Sequence, residues 1–284
     1  MLIDLSPYKN IMKINHLIYA GLLICIFQSC NYFKSTHPQA EITDEAGATG
    51  MTDKSILVFS SAIDRELSHY KKEFSLIYTS GDLSLYAEKY SEYNNGMLYK
   101  TSSSNGNISN VVKSYYLKND SLIMVKERSK VINQEGQVLT DTRTYLRNNI
   151  IFKIESRTAS SPEAMSTLPY LLVPPTENKY PDQNYKEDLK VMNNAIKGAD
   201  KFDMVFQNIT TYPDSRYIVL KSKVLNNYTA SILVKERDKF IDSLLNTPAI
   251  FKDEKLNIKW KIADKEAIYV PVADTVTSAS GLNK

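Results

Sequence analysis

The first ordered part of the chain has apolar residues at a helical spacing. Five of them recur at intervals of four, three, four and three residues: Ile63, Leu67, Tyr70, Phe74 and Ile77. This spacing places them on one side of an α-helix, with charged residues on the other side. Ser60 or Ser61 can accept a backbone N–H at the start, and Gly81 can end the helix in a left-handed conformation. The pattern predicts an amphipathic helix before Gly81.

A run of β-strand signals follows this helix. Val, Ile, Thr and Tyr alternate with polar residues, and Asn, Asp and Gly separate the runs. Segments 116–120 and 145–149 resemble each other, which predicts two equivalent hairpins. The first strand also fits a short helix. The predicted meander has six strands: 83–93, 97–103, 111–118, 122–131, 138–147 and 150–157.

Prolines mark a change of organisation after this meander. Five of them lie between residues 161 and 184, where regular structure is disfavoured. We interpret 161–184 as a crossover and 185–272 as a smaller, mixed, β-rich region that resembles a barrel. Its predicted helices are 185–196 and 237–245, and its predicted strands are 204–209, 217–225, 228–234, 257–262 and 267–272. The predicted class is α+β: an N-terminal helix packed on an antiparallel meander (55–160), then the barrel-like region and a disordered tail, 273–284.

The N-terminus carries a short apolar run, residues 17–27, followed by Gln28, Ser29 and Cys30. A basic start, an apolar core and a small residue before the cleavage site are the features of a secretory signal peptide. The Cys directly after Ser29 resembles the lipobox of bacterial lipoproteins. The resemblance implies cleavage after Ser29, removal of residues 1–29 and acylation of Cys30. The alternative is an ordinary secreted protein.

The lipoprotein resemblance also implies a location. Acyl chains on Cys30 would hold the protein at a membrane of the cell envelope. Residues 30–54 contain few large apolar groups, which predicts a flexible tether behind the lipid. Asn31 and its neighbours lack the Asp that retains some lipoproteins at the inner membrane, which favours the outer membrane. Either Met1 or Met12 is the true start.

Composition narrows the classes of function. After removal of residues 1–29, 33 basic and 31 acidic residues remain, a balance that argues against a nucleic-acid partner. The only cysteines are Cys25 and Cys30, so the folded part is predicted to lack disulfides. There is no glycine-rich phosphate loop and no zinc-ligand spacing, which predicts neither cofactor nor metal.

Catalytic groups are scarce. His69 is the only histidine of the folded region, and we interpret it as a surface residue rather than part of a catalytic triad. A carboxylate-dependent hydrolase would use a pair such as Glu88 with Glu92, or Asp203 with Asp214. Solvated surface charges are the simpler interpretation of both pairs.

Tyrosine is abundant, with 19 in the chain. A rigid aromatic surface suits sugars, peptides or partner proteins, although cross-strand tyrosines also stabilise sheets without a ligand. Trp260, between two lysines, is interpreted as a core residue. The candidate aromatic binding surface consists of Tyr86, Tyr90, Tyr99, Tyr116 and Tyr145.

Three short segments resemble the Asp-Ser/Thr-apolar signature of O-linked glycosylation in some Gram-negative envelopes. They predict modification of Ser121, Ser243 and Thr275. Ser121 is at a predicted turn and is expected to be the most accessible.

The sequence therefore predicts a non-enzymatic binding or structural module, anchored at the envelope by a lipid. Its partner would be another envelope protein, a peptide or a glycan. One alternative is a carrier of an apolar ligand or lipid in a curved half-barrel. The other is the carboxylate-dependent hydrolase.

Overall fold

A computed structural model describes residues 50–93, 96–174, 184–224 and 228–271, which belong to one compact unit. Cys30, Ser29, Thr275, the signal segment and the tail lie outside these residues. The helices are α1 Asp53–Arg65, α2 Pro162–Thr167, α3 Tyr185–Lys197, α4 Lys239–Asn246 and α5 Pro248–Phe251. The strands are β1 Lys71–Phe74, β2 Tyr78–Ser80, β3 Leu83–Tyr93, β4 Gly96–Asn105, β5 Ser109–Lys118, β6 Ser121–Asn133, β7 Gly136–Arg147, β8 Ile150–Ala159, β9 Leu171–Leu172, β10 Met204–Thr211, β11 Arg216–Ser222, β12 Thr229–Leu233, β13 Lys259–Ala263 and β14 Glu266–Val270.

Helix α1 begins earlier than the apolar spacing predicts. The Thr52 hydroxyl accepts a hydrogen bond from the backbone N–H of Ser55, and the helix ends at Arg65. The predicted continuation to Gly81 is wrong, because Lys71–Phe74 and Tyr78–Ser80 are strands that pair with β3. The spacing from Ile63 to Ile77 is helical, and pairing with β3 overrides it. Gly81 has a positive φ of 58°, but it belongs to the β2–β3 turn.

The predicted meander is confirmed. Strands β3 to β8 pair antiparallel with their sequence neighbours. The two similar segments end in equivalent turns, since Asn119, Asp120, Asn148 and Asn149 all have positive φ. Residues 83–93 form a strand rather than the alternative short helix.

The C-terminal strands extend the meander instead of forming a separate barrel. Thr229 and Ala230 of β12 pair with Thr79 and Tyr78 of β2. Within the described residues, the main pairing path runs in an open order, β10-β11-β12-β2-β3-β4-β5-β6-β7-β8-β9. Strands β13 and β14 join beside β12 through a parallel pairing with β14. The molecule is therefore mostly an antiparallel sheet, and this sheet is not closed.

The proline-rich crossover contains more regular structure than predicted. Pro162 occupies the first turn of α2, where the missing N–H costs no hydrogen bond, and the Ser161 hydroxyl caps the helix. Leu171 and Leu172 then pair with β8 at the edge of the sheet, with both side chains exposed. Residues 171–172 of the crossover thus lie along the last strand of the meander.

The two faces of the sheet are covered by different helices. On the face we call the α3 face, Met192 and Ala195 of α3 are buried in the main apolar cluster with Tyr99 and Tyr115. On the opposite, α1 face, Ile63 of α1 lies over the start of β4, and Tyr116 of β5 donates a hydrogen bond to Asp64. Both helices cover only part of their face, which leaves strand residues of the meander open to solvent.

Candidate functional site

Three cations follow one another on the α1 face of β6. Lys126, Arg128 and Lys130 alternate with Glu127 and Ser129, so the cations share a face of the strand. Lys126 bonds Asp64 of α1 at 2.9 Å, which identifies that face as the α1 face. The next residue, Glu127, instead pairs with Lys113. The alternation therefore places Glu127 on the face opposite to the three cations of β6.

The neighbouring strands add further cations to this face. The register places Arg143 of β7 opposite Lys126 and places Asp141 between Arg128 of β6 and Arg157 of β8. We call the resulting cluster the basic face; it consists of Lys126, Arg128, Lys130, Arg143 and Arg157. Cations on adjacent strands repel one another unless carboxylates or bound anions compensate them.

Asp141 is the carboxylate that compensates the centre of the basic face. It is 4% exposed and accepts hydrogen bonds from Arg157 at 2.9 Å and from the Tyr170 hydroxyl at 2.6 Å. Arg128 Nε lies 3.7 Å from the same carboxylate oxygen. One buried carboxylate thus joins three elements: β6, β8 and the segment before β9.

Tyr170 packs between two arginines above the sheet. The guanidinium carbons of Arg143 and Arg157 lie 3.5 and 4.3 Å from its ring centroid. These distances are typical of cation–π contacts. Burial raises the pKa of Tyr170, and its bond to Asp141 raises the pKa further. The ring holds the crossover on the basic face.

A pocket of about 340 Å³ opens beside this cluster, between the sheet and α2. Arg128 stands at its side with 74% of its side chain exposed, whereas Arg157 is 17% exposed. The pocket combines charged, polar and apolar walls. Its lining residues are Asn110, Val112, Arg128, Ser129, Lys130, Leu139, Thr140, Asp141, Arg157, Pro162, Met165 and Ser166.

The lining of the pocket carries more positive than negative charge. Asp141 is its one acidic lining residue, and that carboxylate already bonds Arg157 and Tyr170. Arg128 and Lys130 are exposed, and Lys130 forms no ion pair with the part of the chain that the structure describes. The arrangement leaves two accessible cations, which suits an anionic ligand.

The five predicted tyrosines do not form one exposed surface. Tyr90, Tyr116 and Tyr145 are buried on the α1 face, Tyr99 is buried on the α3 face, and Tyr86 is half-buried. On the α1 face their hydroxyls bond carboxylates: Tyr86 and Tyr90 bond Glu88, Tyr116 bonds Asp64, and Tyr145 bonds Glu155. Burial raises the pKa of each of these four hydroxyls. These tyrosines stabilise the sheet through their packed rings and their hydrogen-bonded hydroxyls.

The candidate catalytic carboxylates are held by lysines. Glu88 bonds Lys72 at 2.6 Å, and Asp203 bonds Lys223 at 2.9 Å and Lys255 at 2.7 Å. Burial alone would raise the pKa of Glu88, but the bonds from Lys72 and the two tyrosines lower it overall. Hydrogen bonds from Lys255 and Lys223 lower the pKa of Asp203. Asp214 is exposed, and the side chain of Glu92 is outside the described part.

The Glu88→Gln variant is expected to lose about 1–2 kcal/mol of stability at neutral pH. The pKa of Glu88 lies below its ordinary value of 4.5. Its ionised form therefore stabilises the fold above that pH, and this contribution is lost as the pH falls through the lower, folded-state pKa. Urea unfolding of both proteins between about pH 3 and pH 8 would measure the difference. Glu135→Gln, at an exposed turn, is the control, and a loss independent of pH would contradict this account.

The remaining predicted residues do not belong to the basic face. His69 is exposed at the end of a short 3₁₀ helix after α1. Ser121 is exposed at the start of β6, and Ser243 is exposed on α4, where its hydroxyl bonds the Lys239 carbonyl. Their glycosylation stays a prediction. Trp260 packs against the apolar cluster, as its core interpretation predicted.

Within the described ranges, His, Cys, Asp and Glu side chains form no group of three or more that could hold a metal ion. None of the helices in these ranges is both long enough and apolar enough to cross a bilayer. Comparison of the chain with family models, curated proteins and solved structures gives no match.

Sequence reasoning missed the basic face because it considered total charge. A signal for it is nevertheless present in residues 126–130, where cations stand at the first, third and fifth positions of a predicted strand. Such a spacing puts all three on one face. The contributions of Arg157 and Tyr170 depend on strand register and on the crossover, which the sequence pattern does not specify.

Proposed function

We propose that this chain is a non-enzymatic binding module of a bacterial cell envelope, anchored by a lipid on Cys30, and that its basic face binds an anionic envelope component. The observation that carries the binding part is the pair of accessible cations, Arg128 and Lys130, beside the pocket under α2. The anchor part rests on the lipobox-like residues before Cys30.

The arrangement behind these cations supports binding rather than mere solvation. Asp141 and Arg157 line the pocket and hydrogen-bond each other, and Asp141 also accepts a hydrogen bond from Tyr170, so these groups are held in place before a ligand binds. Rigid, pre-organised groups bind a ligand at a smaller entropic cost than mobile ones. Arg128 and Lys130 can then reach an anion without losing a strong partner.

The alternatives receive less support from the structure. Helix α3 packs into the main apolar cluster on the α3 face, where a half-barrel carrier would need a large apolar cavity. The two spaces beside α3 measure about 130 and 300 Å³, and the larger one is lined partly by polar residues. Glu88 and Asp203 are each neutralised by lysines, whereas a general acid needs a raised pKa.

The anchor is tested by the variant Cys30→Ser. We expect the native chain to partition into the detergent phase and its N-terminal peptide to carry the mass of acyl chains on Cys30. The variant should leave the membrane fraction, because the acyl chains provide the membrane affinity. A native N-terminal peptide with an unmodified Cys30 would contradict the anchor and leave the binding proposal standing.

The binding site is tested with immobilised heparin as an anionic probe and the double variant Arg128→Gln/Lys130→Gln. We expect native protein, purified in neutral detergent, to be retained and the variant to elute at clearly lower salt, since ionic contacts weaken with salt. Lys259→Gln/Lys261→Gln is a matched control. It also removes two exposed cations two residues apart on a strand, but on β13.

The control variant separates a local site from total charge. If it lowers retention as much as the β6 variant does, net charge explains binding and the proposal fails. Unchanged circular dichroism spectra and melting temperatures would show that both variants retain the fold.

A further inference from the structure

The pocket beside the basic face is lined by two chemically distinct groups of side chains. Arg128 and Lys130 provide positive charge. Four other side chains provide apolar surface: Val112, Leu139, Pro162 and Met165. A site for a simple inorganic anion has no use for the apolar surface, and a site for an apolar molecule has no use for the cations.

The strand register sets apolar residues beside the cations. Val112 of β5 is directly opposite Arg128, and Leu139 of β7 is directly opposite Lys130, so each cation emerges next to an apolar residue. Met165 of α2 also lines the pocket. The sheet and α2 thus provide the apolar lining together, while both cations remain exposed to solvent.

Arg157 is already engaged within the protein. It donates to Asp141 and to the Leu168 carbonyl through its two terminal nitrogens. Lys130 forms no ion pair with the described residues, and the exposed Arg128 lies 3.7 Å from Asp141 through its Nε, so these two cations can contact an incoming anionic group. The volume, about 340 Å³, is at the lower end of the roughly 300–1,000 Å³ of small-molecule sites.

We infer that this pocket binds a single-chain amphipathic anion, whose carboxylate or phosphate head contacts Arg128 and Lys130 and whose apolar chain packs against Val112, Leu139 and Met165. The inference rests on the proposed function and specifies the class of its ligand. Burial of the chain favours binding in proportion to its apolar area, and the charged head sets its orientation.

Photo-crosslinking tests the inference on the full, lipid-anchored chain in phosphatidylcholine nanodiscs. The probes are decanoate, decyl phosphate and decanol, each with a diazirine near the end of the chain. We expect at least one anionic probe to label the peptides that contain Met165 or Leu139, and the neutral decanol to label them about tenfold less. Labelling by decanoate alone would indicate a fatty-acid type of ligand, and labelling by decyl phosphate alone a phosphate headgroup.

Competition and variants complete the test. Excess unmodified decanoate or decyl phosphate should suppress labelling by the matching probe, whereas acetate and inorganic phosphate should not. Arg128→Gln/Lys130→Gln should reduce labelling about tenfold, and Lys259→Gln/Lys261→Gln should leave it unchanged. Met165→Gln should reduce labelling about threefold, because it replaces an apolar wall of the pocket with a polar side chain.

Two results would overturn the inference: equal labelling by decanol and the anionic probes, or labelling that the β6 variant does not change. If heparin retention still depends on Arg128 and Lys130 in that case, the anion-binding function stands and only the amphipathic ligand is wrong. If neither probe labelling nor heparin retention depends on Arg128 and Lys130, both the amphipathic ligand and the anion-binding function are wrong.

Discussion

The Asp141→Asn variant is expected to lose about 2–4 kcal/mol of its free energy of unfolding, because it leaves the partly buried Arg157 without a counter-charge. The native carboxylate is 4% exposed and bonds Arg157 and Tyr170. Chemical denaturation followed by circular dichroism would measure the loss.

Two further variants test whether Asp141 acts through this network. Asp214→Asn, at an exposed position, should change stability by less than about 0.5 kcal/mol. Combined with Arg157→Met, Asp141→Asn should cost less than the sum of the two single variants, since each removes the partner that the other needs. Strictly additive losses would contradict a coupled network.

The Phe202→Ala variant is expected to have the largest effect on stability, about 3–5 kcal/mol. Phe202 is fully buried, and its ring centroid lies 4.7 Å from that of Tyr78 and 5.0 Å from that of Tyr228. Tyr78 lies on β2 and Tyr228 directly precedes β12. Loss of the Phe202 ring therefore removes packing from both strands. Thermal and urea unfolding would measure the change.

The matched control for Phe202 is Tyr212→Ala. Tyr212 is 56% exposed at the end of β10, and its removal should cost less than about 1 kcal/mol. A second unfolding transition in the Phe202→Ala protein would show that the two parts of the sheet unfold separately. We expect one transition, because β2 and β12 pair directly.

Local patterns predicted much of the secondary structure. The meander follows from alternation and from turn residues such as Asn119 and Asn148, because a positive φ is a local requirement. Helix α3 begins at Tyr185 and ends before Gly198, which has a left-handed φ of 60°. Signals of this kind depend on a few adjacent residues and survive in the tertiary structure.

Long-range features were not predictable in the same way. Residues 71–80 form strands because they pair with β3, and their helical apolar spacing does not indicate this pairing. The union of β12 with β2 depends on contacts between distant parts of the chain. Sequence periodicity contains no information on which strands meet.

Some features of the candidate site follow from local alternation along a strand, whereas others depend on long-range contacts. Tyr99 and Tyr90 face opposite sides because Leu98 pairs with Tyr90 and Tyr99 follows it in the strand. Adjacent strand residues such as Tyr115 and Tyr116 must also face opposite sides. Alternation alone could therefore have divided the tyrosines and aligned the three cations of β6, whereas Tyr170 reaches them only through the crossover.

The contact between β2 and β12 has a consequence for biosynthesis. The hydroxyls of Thr79 and Thr229 are 2.8 Å apart, although 150 residues separate them in the chain. During translation, β2 and the meander emerge first, and the side of β2 that later receives β12 has no partner until the C-terminal third has been synthesised. An unpaired strand edge can join other chains. Premature termination before residue 229 would thus yield a product that aggregates, and the nascent protein would depend on chaperones during that interval.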